Sequence, residues 1–225
     1  MTRRTNERLA GVAFLVYIAL GIGAMMLSGR AGRGEGIAAQ LASFARHAAD
    51  VRAAAVLNLL SAFAALVLGV TLYAITRDED HDLAMLGFTF RVGEGVLGGL
   101  SIQRSLGLLW LSNAGRDALD PRAMQALAAF QFHGQAGGIG AAFFAAGSLI
   151  FSWLLLRGRM IPTALAGLGV LASALWVIAV PLQVVGLLRG TVLQLLYAPM
   201  AVFEVPLALW LLVRGTKAPE RSLQV

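Results

Sequence analysis

At 225 residues, 58% hydrophobic and 13% charged, with a mean hydropathy of +0.76, the chain has too few charges for a soluble domain, which carries about 25%. Its net charge of +6 does not point to nucleic acid, because the basic residues are scattered and mostly flank apolar runs. That placement suits anionic lipid head groups. The chain has no cysteine, which removes disulfides and thiolate metal sites.

Several apolar runs approach the length of about twenty residues that crosses a bilayer. The fold class read from them is all-α, a polytopic membrane bundle of six transmembrane helices with one or two short interfacial helices, forming a single domain over 1–225. The first helix is expected at about 9–28. The preceding Met1–Arg8 resembles the charged start of a signal peptide, but the apolar run after it exceeds the usual 7–15 residues, so an uncleaved helix is expected.

An amphipathic stretch follows at about 36–50. Ile37, Leu41, Phe44, Ala48 and Val51 share one face, the mark of a helix lying on the membrane surface. The second span is expected at about 52–76, then a tight charged turn from Arg77 to Asp82. The third lies at about 83–111 and is followed by a polar loop from Asn113 to Pro121. A short second surface helix runs from Pro121 to Phe130. The remaining spans fall at about 134–156, 161–188 and 191–213. Pro162 sits near the first turn of the fifth, where its missing N–H does no harm, and Arg214 to Arg221 reads as a disordered tail.

Six spans put both termini on one side. With the termini in the cytoplasm, that side holds Arg3, Arg4, Arg8, Arg77, Arg157, Arg159, Arg214, Lys217 and Arg221. The other side holds Arg30, Arg33, Arg46, Arg52, Arg116, Arg122 and Arg189. The cluster before the first span tips the balance inward. One lysine against seventeen arginines, with abundant alanine and glycine, reads as a GC-rich bacterial genome and hence a bacterial cytoplasmic (inner) membrane.

Charged residues inside the spans are costly, by about 2.5–3.5 kcal/mol each on insertion scales, and so mark a site. Arg91 and Glu94 are three residues apart and face one side of a helix. They lie nine and twelve residues past Asp82, and Glu204 lies ten before Arg214. At 1.5 Å per residue all three stand ~14–18 Å from the same membrane face. They share a depth near the midplane, where either a triad of net charge −1 or a cluster with one protonated carboxylate is open. Arg91 and Glu94 lie on a stripe of the third helix containing Gly87, Gly98, Ser101 and Ser105. Pro199 and Pro206 bracket Glu204, and such residues commonly kink a membrane helix. A second polar layer of Arg104, His133, Gln135, Gln183 and Gln194 would line a wet vestibule on the opposite side.

Binding residues are therefore expected at Arg91, Glu94, Glu204, His133, Arg104, Gln183 and Gln194. No H-E-x-x-H, P-loop or G-x-S-x-G occurs, and no metal or cofactor is expected. The partners expected are membrane lipids and a small or lipid-like ligand, not nucleic acid. Three functions stay open: binding or transport of a small or amphiphilic molecule at the charged site, a regulatory or interaction protein with a structural ion-pair network, and an intramembrane enzyme. The last would use Glu94 or Glu204 as acid or base with His133 assisting.

Particular residues resemble a bacterial membrane family, domain-of-unknown-function family 4386. They are Leu72-Tyr73, Phe90-Arg91 with Glu94, Gly147-Ser148-Leu149, Ile161-Pro162, Glu204, and Leu209-Trp210-Leu211-Leu212-Val213-Arg214-Gly215. The resemblance spans nearly everything after Arg8. It implies a multi-helix integral membrane architecture and brings no established activity.

Overall fold

A computed structural model describes residues 1–113, 120–133, 138–188 and 191–217; of residues 121, 133, 191–194, 196 and 197 it describes the backbone alone. Among the described residues the secondary structure is helical throughout. In chain order the helices are α1 (Arg3–Ala31), α2 (Ile37–Arg46), α3 (Ala48–Thr76), α4 (His81–Asn113), α5 (Pro121–His133), α6 (Ile139–Arg157), α7 (Thr163–Val184) and α8 (Thr191–Val213).

Six of these close into a ring. Each packs on the next in the order α1, α3, α4, α6, α7, α8, and α8 returns against α1. The ring's interior is apolar, with Phe14, Leu68, Leu72, Phe151, Leu155, Phe203 and Leu207 at its centre. Its outer surface is apolar too: Val16, Phe63, Val96, Leu171, Ile178 and Val202 are exposed. Helices hydrophobic on both sides belong in lipid. Five of them, α1, α3, α4, α6 and α7, are long and apolar enough to cross a membrane. In α8 the described apolar stretch is Ala198–Val213, and the helix runs unbroken through Pro199 and Pro206.

The expected boundaries shift where helices outrun their apolar windows. α1 starts at Arg3 rather than near Leu9, because Thr2 caps it by accepting a hydrogen bond from the Thr5 N–H at 3.2 Å. A hydroxyl in that position satisfies one of the open N–H groups of the first turn. α3 begins at Ala48, and the amphipathic stretch expected at 36–50 is cut at His47, so that only Ile37–Arg46 forms α2. α7 ends at Val184, short of Leu188. Residues 114–119, 134–137 and 189–190 lie outside the described part of the chain, and with them Gln135 and the expected start of the fourth span.

α2 does not lie with its apolar face in lipid. Leu41 and Phe44 are buried in a second small core with Val51, Leu108, Leu109 and Ala128, and Phe44 meets Phe132 of α5 edge-on at 5.4 Å. The reason is the length of α4. Its 33 residues extend ~50 Å, against a hydrocarbon core of about 30 Å. The surplus turns carry Leu108, Leu109 and Leu111 past the bilayer, and α2 and α5 cover them.

The other end of the ring is tied by charges. Arg157 donates to Glu79 Oε1 at 2.6 Å and to Asp80 Oδ2 at 3.1 Å, fixing α6 to the α3–α4 turn. Asp80 also caps α4 by accepting from the Leu83 N–H at 3.1 Å. That bond, joined by the Arg157 guanidinium, holds the Asp80 carboxyl below the usual carboxylate range. Glu7, almost fully buried, accepts from the Thr216 N–H at 2.8 Å and from its hydroxyl. Arg3 donates to Thr216 Oγ1 at 3.0 Å and to the Lys217 carbonyl at 2.8 Å, and the Lys217 N–H reaches the Met160 carbonyl at 2.9 Å.

The first part of the expected disordered tail is therefore latched onto α1. The sequence marks only its charge and its Gly-Thr-Lys-Ala-Pro composition, and a buried glutamate 209 residues away supplies the anchor. Gly215 makes the turn at φ +75°, which few residues with a side chain adopt. Residues 218–225 lie outside the described chain.

Candidate functional site

The site sits inside the ring, on the face of α4 that turns away from lipid. Arg91 is 1% exposed and is the largest fully buried side chain among the described residues. A guanidinium there must spend its donors, since an unpaired buried charge is far costlier than a paired one. Its Nη1 donates to Glu94 Oε2 at 2.8 Å, the pairing expected three residues apart on one helix. Its Nη2 donates to Ser148 Oγ of α6 at 3.0 Å. The guanidinium carbon also lies 5.0 Å from the centre of the Phe144 ring, within the range of an attractive cation–π contact. The second oxygen of Glu94, Oε1, accepts from the Tyr17 hydroxyl of α1 at 2.7 Å. Three helices are thereby pinned through one ion pair.

Glu204 departs from the expected triad. It is buried in the ring at 6% exposure and lies within electrostatic reach of Arg91, Glu94 and Tyr17. Yet its Oε1 has no hydrogen-bond partner, and Arg91 pairs with Glu94 instead. The geometry explains the choice. Glu94 shares a helix with Arg91, whereas Glu204 belongs to α8, which packs on α1 and α7 rather than on α4. Arg91 Nε and the Ser173 hydroxyl oxygen of α7 are likewise buried without a partner. Beside Arg91 and Ser148 is a void of about 10 Å³, walled by Phe14, Leu72 and Phe151 among others. That is room for about one water molecule.

The outer polar layer is only partly assembled. Arg104 donates to the Phe132 carbonyl of α5 at 2.9 Å and lines a cavity of about 340 Å³ with Ser28, Asn58, Ser101 and Ser105. Gln183 is half-buried in the last turn of α7 and is not on that cavity's wall. The side chains of His133 and Gln194 lie outside the described residues.

Tyr17 and the bonding role of Ser148 were not foreseen from sequence, although a usable signal was present. Tyr17 lies nine residues past Arg8, and Ser148 nine before Arg157. Both therefore sit at the depth of Arg91, ~14 Å from the same charged edge.

A ring of long apolar helices with a buried ion pair at its centre defines a multi-pass helical membrane protein. The chain belongs to the family described as a domain of unknown function, DUF4386, which matches residues 9–215. Comparison with curated proteins and with solved structures finds no match for this chain.

Proposed function

We propose that the chain is a single-domain protein of the bacterial cytoplasmic membrane, both termini cytoplasmic, that binds a small species at the charged site within its ring. The orientation is supported by Arg3, Arg4, Arg8, Arg157 and Lys217, which gather at one end of the ring. A reporter inserted near Gly34 is expected to be active only as an external tag. Cytoplasmic activity there would reverse the orientation.

The observation that carries the binding reading is Glu204. In a purely structural network every buried polar atom is spent, and partly satisfied networks are costly. Arg91 and Glu94 come close to that structural role, because both carboxylate oxygens and both terminal nitrogens are bonded and only Arg91 Nε is left over. Glu204 does not. Two carboxylates facing one arginine leave one carboxylate in excess, so the site can take up and release a proton without breaking the Arg91–Glu94 pair. The adjoining space, about 10 Å³, admits nothing larger than water. A larger molecule would need α8 to part from its neighbours.

The test is infrared difference spectroscopy of the protein in lipid, for which access by water alone is enough. Acidification is expected to raise a carboxylic C=O band that Glu204→Gln removes with the fold intact. Absence of that band from the wild-type spectrum, or its persistence in Glu204→Gln, would sink this reading and leave the ion pair as a structural brace.

A further inference from the structure

At the other end of the ring from the charged latch, residues from five helices and the cap of α1 line the open cavity that holds Arg104. Ser28 comes from α1 and Gly32 from its C-terminal cap, Phe44 from α2, Asn58 from α3, Arg104 and Leu108 from α4, and Phe132 from α5. At about 340 Å³ it falls at the lower end of the ~300–1,000 Å³ typical of small-molecule sites. Its depth follows from the helix rise. Arg104 lies 22 residues past Asp82, or ~33 Å from the charged edge, which places it at the far head-group level of a hydrocarbon core of about 30 Å.

The wall is divided chemically. Arg104 is the one charged side chain among the described lining residues, and no carboxylate is among them. It uses one donor on the Phe132 carbonyl and makes no other hydrogen bond among the described residues, so its fork keeps donors for a ligand. The Asn58 amide and the Ser28 hydroxyl also lack a hydrogen-bond partner among the described residues. Ser101 and Ser105 contribute no donors, since their hydroxyls are turned back to the Gly98 and Ser101 carbonyls at 2.6 and 3.0 Å. Phe44, Phe132 and Leu108 supply the apolar part of the lining. The Phe44–Phe132 edge contact makes a continuous apolar surface between α2 and α5.

We propose that this cavity binds an anionic amphiphile, with its carboxylate or phosphate group on Arg104, Asn58 and Ser28 and its apolar body against Phe44, Phe132 and Leu108. Charge complementarity selects the anion, because guanidinium forks match both oxyanions. The volume selects a single short chain over a two-chain lipid. The inference stands apart from the midplane reading, and neither outcome for Glu204 touches it.

The experiment is isothermal titration of the full chain in phosphatidylcholine nanodiscs, with empty nanodiscs subtracted. The probes are decanoate, decyl phosphate, decanol and inorganic phosphate. Decanoate and decyl phosphate are expected to bind saturably, one per chain, while decanol and inorganic phosphate bind at least about tenfold more weakly. Arg104→Gln is expected to weaken decanoate roughly 10- to 100-fold, with Arg104→Lys retaining most of the affinity. Arg122→Gln, exposed on α5, is expected to change nothing.

Equal binding of decanol would mean a plain apolar slot, and equal binding of inorganic phosphate a plain anion site. Either result overturns the proposal, as does an Arg104→Gln protein that binds like wild type. If Arg104→Gln does not fold, Asn58→Leu decides, with Arg104 left in place. A several-fold loss of decanoate affinity is expected, and unchanged affinity overturns the proposal.

Discussion

Replacing Arg91 with methionine is expected to destabilise the protein by about 3–5 kcal/mol, the usual cost of leaving one half of a buried ion pair alone. The substitution keeps most of the aliphatic stem that passes between α3 and α6, so the loss reports on charge rather than on volume. Glu94 would keep only the Tyr17 hydroxyl, bonded at 2.7 Å, and Glu204 would face a second uncompensated carboxylate. Adding Glu94→Gln is expected to restore most of the stability. The glutamine oxygen can still accept from Tyr17, and its neutral amide leaves no unpaired charge at this position. Replacing a buried pair by neutral groups is often close to neutral overall, whereas breaking it from one side is not. Thermal melting in detergent of Arg91→Met, Glu94→Gln and the double variant checks this. Additive losses, with no recovery in the double variant, would show that the pair is not what holds α4 in the ring.

That cluster also shows how far depth along a helix can be read. Counting residues from the charged turn placed Arg91, Glu94 and Glu204 in one layer, and all three are buried within the ring. The count cannot give azimuth. It could not say that α8 meets α1 and α7 rather than α4, so it drew a triad where the structure has a pair and an unbonded carboxylate. Tyr17 and Ser148 stand at the same level and complete the first ring of partners around Arg91 and Glu94.

The helices themselves were legible because apolar runs in a bilayer leave few alternatives to a helix. Their ends were less so. Caps, the overhang of α4 and the Glu7–Thr216 latch depend on partners distant in sequence, and an apolar window does not record them. α2 was recognised as amphipathic from its own pattern, but that pattern does not tell lipid from the exposed end of another helix as the apolar partner.

Enlarging Gly69 or Gly147 to leucine is expected to destabilise the ring by crowding the stem of Arg91. The stem of Arg91 runs between them. A Cβ at Gly69 would stand 3.0 Å from Arg91 Cβ, and one at Gly147 would stand 3.3 Å from Phe90 Cβ and 3.5 Å from Arg91 Cγ. Neither neighbour can swing away, because both are atoms close to the backbone of α4. Relief requires α3 or α6 to move outward, and moving α6 would lengthen the bond between Arg91 and Ser148. Overpacking alone costs about 1–3 kcal/mol, and the partly unpaired guanidinium adds to it. Gly98 and Gly99 provide the comparison on α4 itself. A Cβ there meets nothing within 4 Å, and leucine favours a helix over glycine by up to about 1 kcal/mol. Gly98→Leu and Gly99→Leu are therefore expected to melt at or slightly above the wild-type temperature, although Gly98 shares the small-residue stripe of the sequence with Gly87. Melting curves for the four variants in one detergent test the contrast. If Gly147→Leu is as stable as Gly98→Leu, α4 and α6 are not held at this close approach, and the positioning of Arg91 between two glycines must be abandoned.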